Sequence, residues 1–197
     1  MATAFTAQER KKIKEQLLAA ALRYASAGGS RHVTVDEIAR EAGISKGAFY
    51  GFYESKDHLF LDMVEQIHRE MYGSAGRVLE DNAALPISER VHLAISEVYR
   101  IARERNVIGF VREEVPLILR RLPPLVVKDM YHSDDEHIRE MIAKNASRLT
   151  ADVDTVCAVV RVLLLSLQNQ DEVGEHYGEA MKYIIRGACG ELINEPA

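Results

Sequence analysis

Cysteine is scarce in this chain of 197 residues: Cys157 and Cys189 are the only two, and neither sits in a spaced disulfide or zinc framework. Both lie inside apolar helical patterns, so buried reduced thiols are expected. Long apolar runs are also missing. The most apolar stretch, 156–167, is only about a dozen residues and contains Arg161, too short and too charged to span a bilayer. The opening MATAFTAQERKK has no apolar core after a basic start. Neither a signal peptide nor a membrane anchor is legible, and a cytoplasmic protein is expected. No convincing period-two alternation appears, which argues against sheet. Glycine-rich phosphate loops and nucleophile elbows are absent as well, leaving catalysis without a motif. Nor is there a general excess of positive charge. A formal net charge of −5 excludes a protein that coats nucleic acid indiscriminately.

What is present is helix, and the chain is read as all-α. Thr6 and Glu9 form a capping box, followed by a stripe of Ile13, Leu17, Ala20, Ala21 and Tyr24 that Gly28-Gly29 ends. Ser55 caps a helix through Leu59, Met63, Ile67 and Met71, expected to fray near Gly73 and Gly76. Pro86 and Ser88 open another, with Val91, Ile95, Val98 and Ala102 inward, closing around Arg105-Asn106. Pro116 should kink the run 107–121, and Pro123-Pro124 begins the next element. Ser133 with Glu136 predicts an interruption near His132, after which helix continues to about Ser147. Two last helices, about 151–171 and 175–193, are apolar over a wide arc.

The most informative stretch is 34–56, TVDEIAREAGISKGAFYGFYESK. Thr34 and Glu37 make a capping box, Val33 can staple against Ile38, and Val35, Ile38, Ala39 and Ala42 share one helical face. Gly43 supplies the left-handed backbone of a sharp helix end, and Ser45 can cap a second helix. Phe49 and Tyr53 can then bury against the first helix while Lys46, Gly47 and Tyr50 share a free face. This is the pattern of a helix-turn-helix whose second helix enters a DNA major groove. Charge agrees: residues 1–56 carry nine Lys/Arg against six Asp/Glu, a net of +3, whereas 57–197 carry 16 against 24, a net of −8. A modestly positive face on an acidic body favours one docking orientation on phosphate, although solvated charge alone is also compatible with it.

The same stretch resembles the signature of the TetR (tetracycline-repressor) family of bacterial transcriptional regulators, and LLAAALRYASAGGSRHVTV before it resembles the family's first helix and loop. The resemblance covers about residues 9–62. It implies a helix-turn-helix DNA-binding domain over 1–56 and an effector-binding and dimerisation domain over 57–197. It further implies phosphate or base contacts from Thr34, Ser45, Lys46, Gly47, Ala48, Tyr50 and Lys56, a homodimer on a near-palindromic duplex, and a small-molecule effector, with no cofactor and no enzymatic activity. Gly51 and Phe52 depart from the pattern, standing where the family often has aromatic or histidine side chains that reach DNA, and no contact is carried onto them.

In the body the residues themselves leave alternatives open. Val160, Leu163, Tyr177, Met181, Ile184 and Ala188 on the last two helices fit either a partner's helices or a buried helix pair in a monomer, and the resemblance favours pairing into a four-helix bundle. Phe110, Glu113 and Leu117 form a second stripe on the kinked run, which could line a cavity with Tyr99, Tyr131, Leu164 and Gln168 or serve ordinary packing. Such a cavity suits a largely apolar ligand, and a buried Glu113 would favour a cationic or hydrogen-bond-donating one. His132, Asp134, Asp135 and His137 crowd together, but their spacing gives no i, i+4 imidazole pair, and no metal site is expected. Glu113 and Glu114 point about 100° apart on a helix, so they read as one surface and one partly buried carboxylate rather than an acid and base. The competing class is a helical-bundle carrier or enzyme without specific DNA binding.

Overall fold

The computed structural model describes residues 5–143 and 148–194, with backbone alone for 131–135 and 143. The described residues form helices and turns and no strand, apart from one isolated antiparallel bridge between Leu149 and Ile193. Helix α1 spans Ala7–Ala27, and its capping box is formed: Thr6 Oγ1 accepts from the Glu9 N–H at 3.2 Å and Glu9 accepts from the Thr6 N–H at 2.8 Å. Helix α2 is Val35–Glu41, with the reciprocal pair between Thr34 and Glu37 and with Val33 and Ile38 buried on either side of the cap. Gly43 follows at φ 71° and turns the chain into α3, Lys46–Phe49, capped by Ser45.

Helix α4 runs Lys56–Asp81 straight through Gly73 and Gly76, where fraying was expected. Each glycine costs about 1 kcal/mol of helix propensity, which the packing of a 26-residue amphipathic helix exceeds, with Ala75 buried between them. Helix α5 is Ile87–Glu104. Pro116 has the expected effect on the next run: α6, Ile108–Glu113, breaks at Glu114, and α7 is Val115–Leu119. Helix α8, Pro124–Ala143, corrects the expected interruption near His132, because it is continuous there. A cap at Ser133 contributes about 1 kcal/mol and requires leaving a helix already nucleated at Pro124, so propagation wins. Its expected end near Ser147 lies outside the described residues. Helix α9, Val153–Ser166, is capped by Asp152; short turns and a one-turn α10, Gln170–Val173, lead into α11, Tyr177–Leu192.

The chain forms two compact units, one from the residues up to Ile67 with Arg105–Val127, the other from His68–Glu104 with the chain from Lys128 onward. In the first, Leu17, Ile38, Phe49, Leu59, Phe60 and Met63 are fully enclosed, and the rings of Phe60 and Phe110 lie 5.5 Å apart. In the second, Ile95 of α5, Leu163 of α9 and Met181, Ile185 and Cys189 of α11 make one apolar cluster; Ala75, Ala94, Val98 and Leu167 make another. Neither cysteine forms a disulfide, and both are buried.

Candidate nucleic-acid interface

The outer face of α3 is set by what its inner face buries. Phe49 is fully enclosed and Tyr53 nearly so, with ring centroids 6.0 Å apart. The Tyr53 hydroxyl donates to Asp62 at 2.7 Å, and Lys14 approaches the same carboxylate oxygen at 2.9 Å. Burial, and then the Asp62 carboxylate, push the Tyr53 phenol far above its usual range, so it stays a neutral donor. With that side anchored, Ser45, Lys46 and Gly47 are exposed, Ala48 is half-buried, and Tyr50 is 52 % exposed with its ring edge-on to Phe49. These residues form one open surface with a lysine at its N-terminal end, the composition that reads base edges and phosphates.

Several expected contact residues carry structural bonds too. The Thr34 hydroxyl accepts from the Glu37 N–H and donates to its carboxylate at 2.7 Å. Lys46 Nζ lies 3.0 Å from Asp36 Oδ2; that hydrogen bond raises the lysine pKa and keeps it cationic while tethering it to α2. Lys56 Nζ donates to the carbonyls of Ser30 and Val33, each at 2.9 Å, which occupies two of its three protons. Of the two departures, Phe52 is half-buried, with the Arg10 guanidinium 4.6 Å above its ring and Phe5 at 6.0 Å. Gly51 gives its carbonyl to Arg10 at 3.0 Å, and a Cβ there would stand 3.2 Å from the Ala48 carbonyl, so a larger residue would crowd this turn.

The second unit holds a partly open cavity of about 140 Å³ between α5, α8, α9, α11 and the later part of α4. Among the described residues, Tyr72 is the only lining residue with a side-chain oxygen or nitrogen; Ile95, Val98, Ile138, Met141, Val156, Val159 and Ile185 are typical of the rest. Of the residues expected to line a cavity, Leu164 does. Tyr99, under the Arg103 guanidinium at 5.5 Å, and Gln168 are half-buried outside its lining, and the Tyr131 side chain lies outside the described residues. Phe110, Glu113 and Leu117 belong to the first unit. Phe110 packs in its core, Leu117 is half-buried, and Glu113 is exposed beside Arg112 at 3.0 Å. The buried carboxylate is Glu114 instead, since the break before Pro116 turns it inward. The cation expected from a buried Glu113 therefore loses its basis.

The six residues that fit either a partner's helices or a buried pair divide between core, cavity wall and surface. Leu163 and Met181 are each 5 % exposed and sit in the subunit's own core; Tyr177 is half-buried and bonded to Ser166 at 2.7 Å; Val160 and Ala188 line the cavity. Only Ile184 of the six is exposed; Val162 and Leu165 of α9 and Tyr183 of α11 are exposed large hydrophobics on the same two helices. A wide apolar arc does not tell which part of it faces inward; the run of short turns over Leu167–His176 that separates the two helices sets that phase. The stripe Val91, Ile95 and Val98 was the available signal for the cavity wall.

A short helix with an open polar face, held across a Gly43 turn by a capped helix, defines a helix-turn-helix DNA-binding protein. Residues 17–63 match the family of bacterial regulatory proteins, tetR family. The chain is 26 % identical over 134 residues, 68 % of each chain, to the uncharacterized HTH-type transcriptional regulator YhgD of Bacillus subtilis. Its fold is similar to that of a TetR-family transcriptional regulator from Pectobacterium atrosepticum (TM-score 0.69, 20 % identity, 98 % and 100 % of the two chains). It is also similar to that of NalD, the secondary repressor of the MexAB-OprM multidrug efflux pump in Pseudomonas aeruginosa (TM-score 0.59, 17 % identity, 94 % and 100 %). Residues 17–63 are thus a DNA-binding helix-turn-helix of the TetR type, and the described fold as a whole is similar to that of solved TetR-family regulators. No described helix is long and apolar enough to cross a membrane.

Proposed function

We propose that this regulator is a cytoplasmic, homodimeric repressor that binds a near-palindromic operator through α3 and is modulated by a small uncharged apolar ligand in the cavity of its second unit. The observation that carries the DNA-binding part is the open face of Ser45, Lys46, Gly47, Ala48 and Tyr50 above the enclosed Phe49. Lys46 and the small Gly47-Ala48 surface influence which bases are accepted; Tyr50, Thr34, Ser45 and Lys56 supply backbone contacts. Selection from random duplexes tests it: a sequence with two half-sites should be enriched, and a selection that enriches no such sequence contradicts it. The exposure of four large hydrophobic side chains on α9 and α11, Val162, Leu165, Tyr183 and Ile184, supports pairing between copies through these helices. Repression rather than activation rests on likeness to NalD alone.

The ligand class follows from the cavity wall. A polar or charged group enclosed there would lose its water and find at most the Tyr72 hydroxyl, a cost of several kcal/mol. An apolar cavity of about 150 Å³ stays dry and takes up benzene, so the enclosed part of the ligand has the size of one ring or a short alkyl chain. Toluene or ethylbenzene at a hundred times its dissociation constant should stabilise the protein by about 2.7 kcal/mol and raise its melting temperature by several degrees. A permanently cationic analogue of equal size should not. The same hydrocarbon must change operator affinity by the factor by which the two dimer conformations differ in binding it. Stabilisation by the cation instead would contradict the proposed ligand class.

A further inference from the structure

Among the described residues, two polar side chains are buried, Glu114 and Ser30, and they meet. Glu114 Oε2, at the α6–α7 break, accepts from the Ser30 N–H at 2.7 Å and from the Ser30 hydroxyl. The neighbouring Gly29 has φ 93°, and a Cβ there would overlap Glu114 Oε1, so glycine is required both by the backbone and by the close approach of the carboxylate. The Ser30 carbonyl in turn accepts from Lys56, the first residue of α4, which also holds the Val33 carbonyl. One polar relay thus runs from Glu114 through the α1–α2 loop to Lys56. Three further bonds come from the same segment. Asn106 Nδ2 donates to the Ser26 carbonyl at 2.8 Å, and Arg121 grips Asp57 with two bonds of 2.7 and 2.8 Å. Ser26, Ser30 and Asp57 flank the helix-turn-helix on both sides, whereas Asn106, Glu114 and Arg121 lie outside the stretch that matches the family.

We propose that Glu114 is a positioning residue for operator recognition. By holding the Gly29-Ser30 loop it fixes the entry of α2 at Thr34 and the place of the Lys56 ammonium, and so the orientation in which α3 is presented. A charged acceptor is suited to this, because a carboxylate bonded to both an N–H and an O–H is stronger and more directional than a neutral one. Lys56 then acts through the loop as well as on phosphate. The proposal rests on the reading of the amino-terminal unit as the part that binds DNA.

The test uses the full-length protein and the duplex obtained by selection, with a scrambled duplex as reference, at a temperature well below melting. Glu114→Gln keeps the size of the side chain and removes its charge; Ser30→Ala removes only the hydroxyl; Glu113→Gln, on the exposed neighbour, is the control. Each of the first two should weaken operator binding about tenfold with scrambled-duplex affinity within twofold. The double variant should be no weaker than the weaker single one, because both remove the same contact. The control should stay within twofold of the parent on both duplexes. Three results would overturn the proposal: operator affinity within twofold of the parent in both variants even if melting falls, parallel loss on both duplexes, or losses that multiply in the double variant. A parent protein that does not distinguish the two duplexes overturns the reading of the amino-terminal unit, and this proposal with it.

Discussion

A chain carrying Leu165→Glu and Ile184→Glu is expected to sediment as a monomer at micromolar concentration and to bind its operator about a hundredfold more weakly than the parent. Leu165 is 52 % and Ile184 53 % exposed, so the subunit's own packing loses little when they change. In a dimer built on these side chains, two carboxylates per chain would be buried without partners, a penalty of several kcal/mol per ion. Two linked reading heads bind as one unit, and separating them removes the effective concentration that joins the half-sites. Leu163→Glu is the instructive contrast. That side chain is enclosed beside Ile185 and Cys189, so its replacement should unfold the second unit rather than dissociate it. Sedimentation equilibrium with circular dichroism separates the two outcomes; a folded double variant that remains dimeric would show that these side chains are not in the interface.

Gly47→Glu should abolish operator binding while leaving the protein folded. A Cβ at Gly47 meets only the Ser45 hydroxyl at 3.9 Å, and glycine within a helix costs about 1 kcal/mol relative to alanine, so melting should hold or rise slightly. The new carboxylate would stand on the face next to Lys46 and Tyr50, opposing phosphate and keeping α3 from close approach. A loss of about a hundredfold or more, on operator and scrambled duplex alike, is expected by fluorescence anisotropy at physiological salt. Retention of operator affinity within a few fold would mean that α3 does not enter the groove with this face.

The amino-terminal unit was legible because its signals are local. Capping boxes at Thr6 and Thr34, the Ser45 cap and the Gly43 turn each lie within four residues of what they specify, and all are formed as read. The enclosed pair Phe49 and Tyr53 follows from helical spacing alone. Where the competing influence was tertiary, the reading failed. Gly73, Gly76 and Ser133 look like helix ends in isolation, but the packing of long amphipathic helices overrides them. The inward phase of α9 and α11 depends on neighbours that no window of sequence contains, so spacing leaves Leu163 and Met181 open between a partner's helices and the subunit's own core, where they lie. Glu113 and Glu114 show the sharpest case. Spacing predicts that one of two adjacent carboxylates is buried, and only the break before Pro116, with a glycine 85 residues upstream making room, selects Glu114.

The most direct measurement is the affinity of the full-length protein for its selected operator against the same duplex with one half-site scrambled, at fixed salt near 0.15 M. Two α3 helices held in one dimer should make the intact duplex at least about a hundredfold tighter, with the scrambled half-site costing the same whichever half is changed. Equal affinity for the intact and half-scrambled duplexes would contradict the account, because α3 would then not be reading sequence from two positions at once.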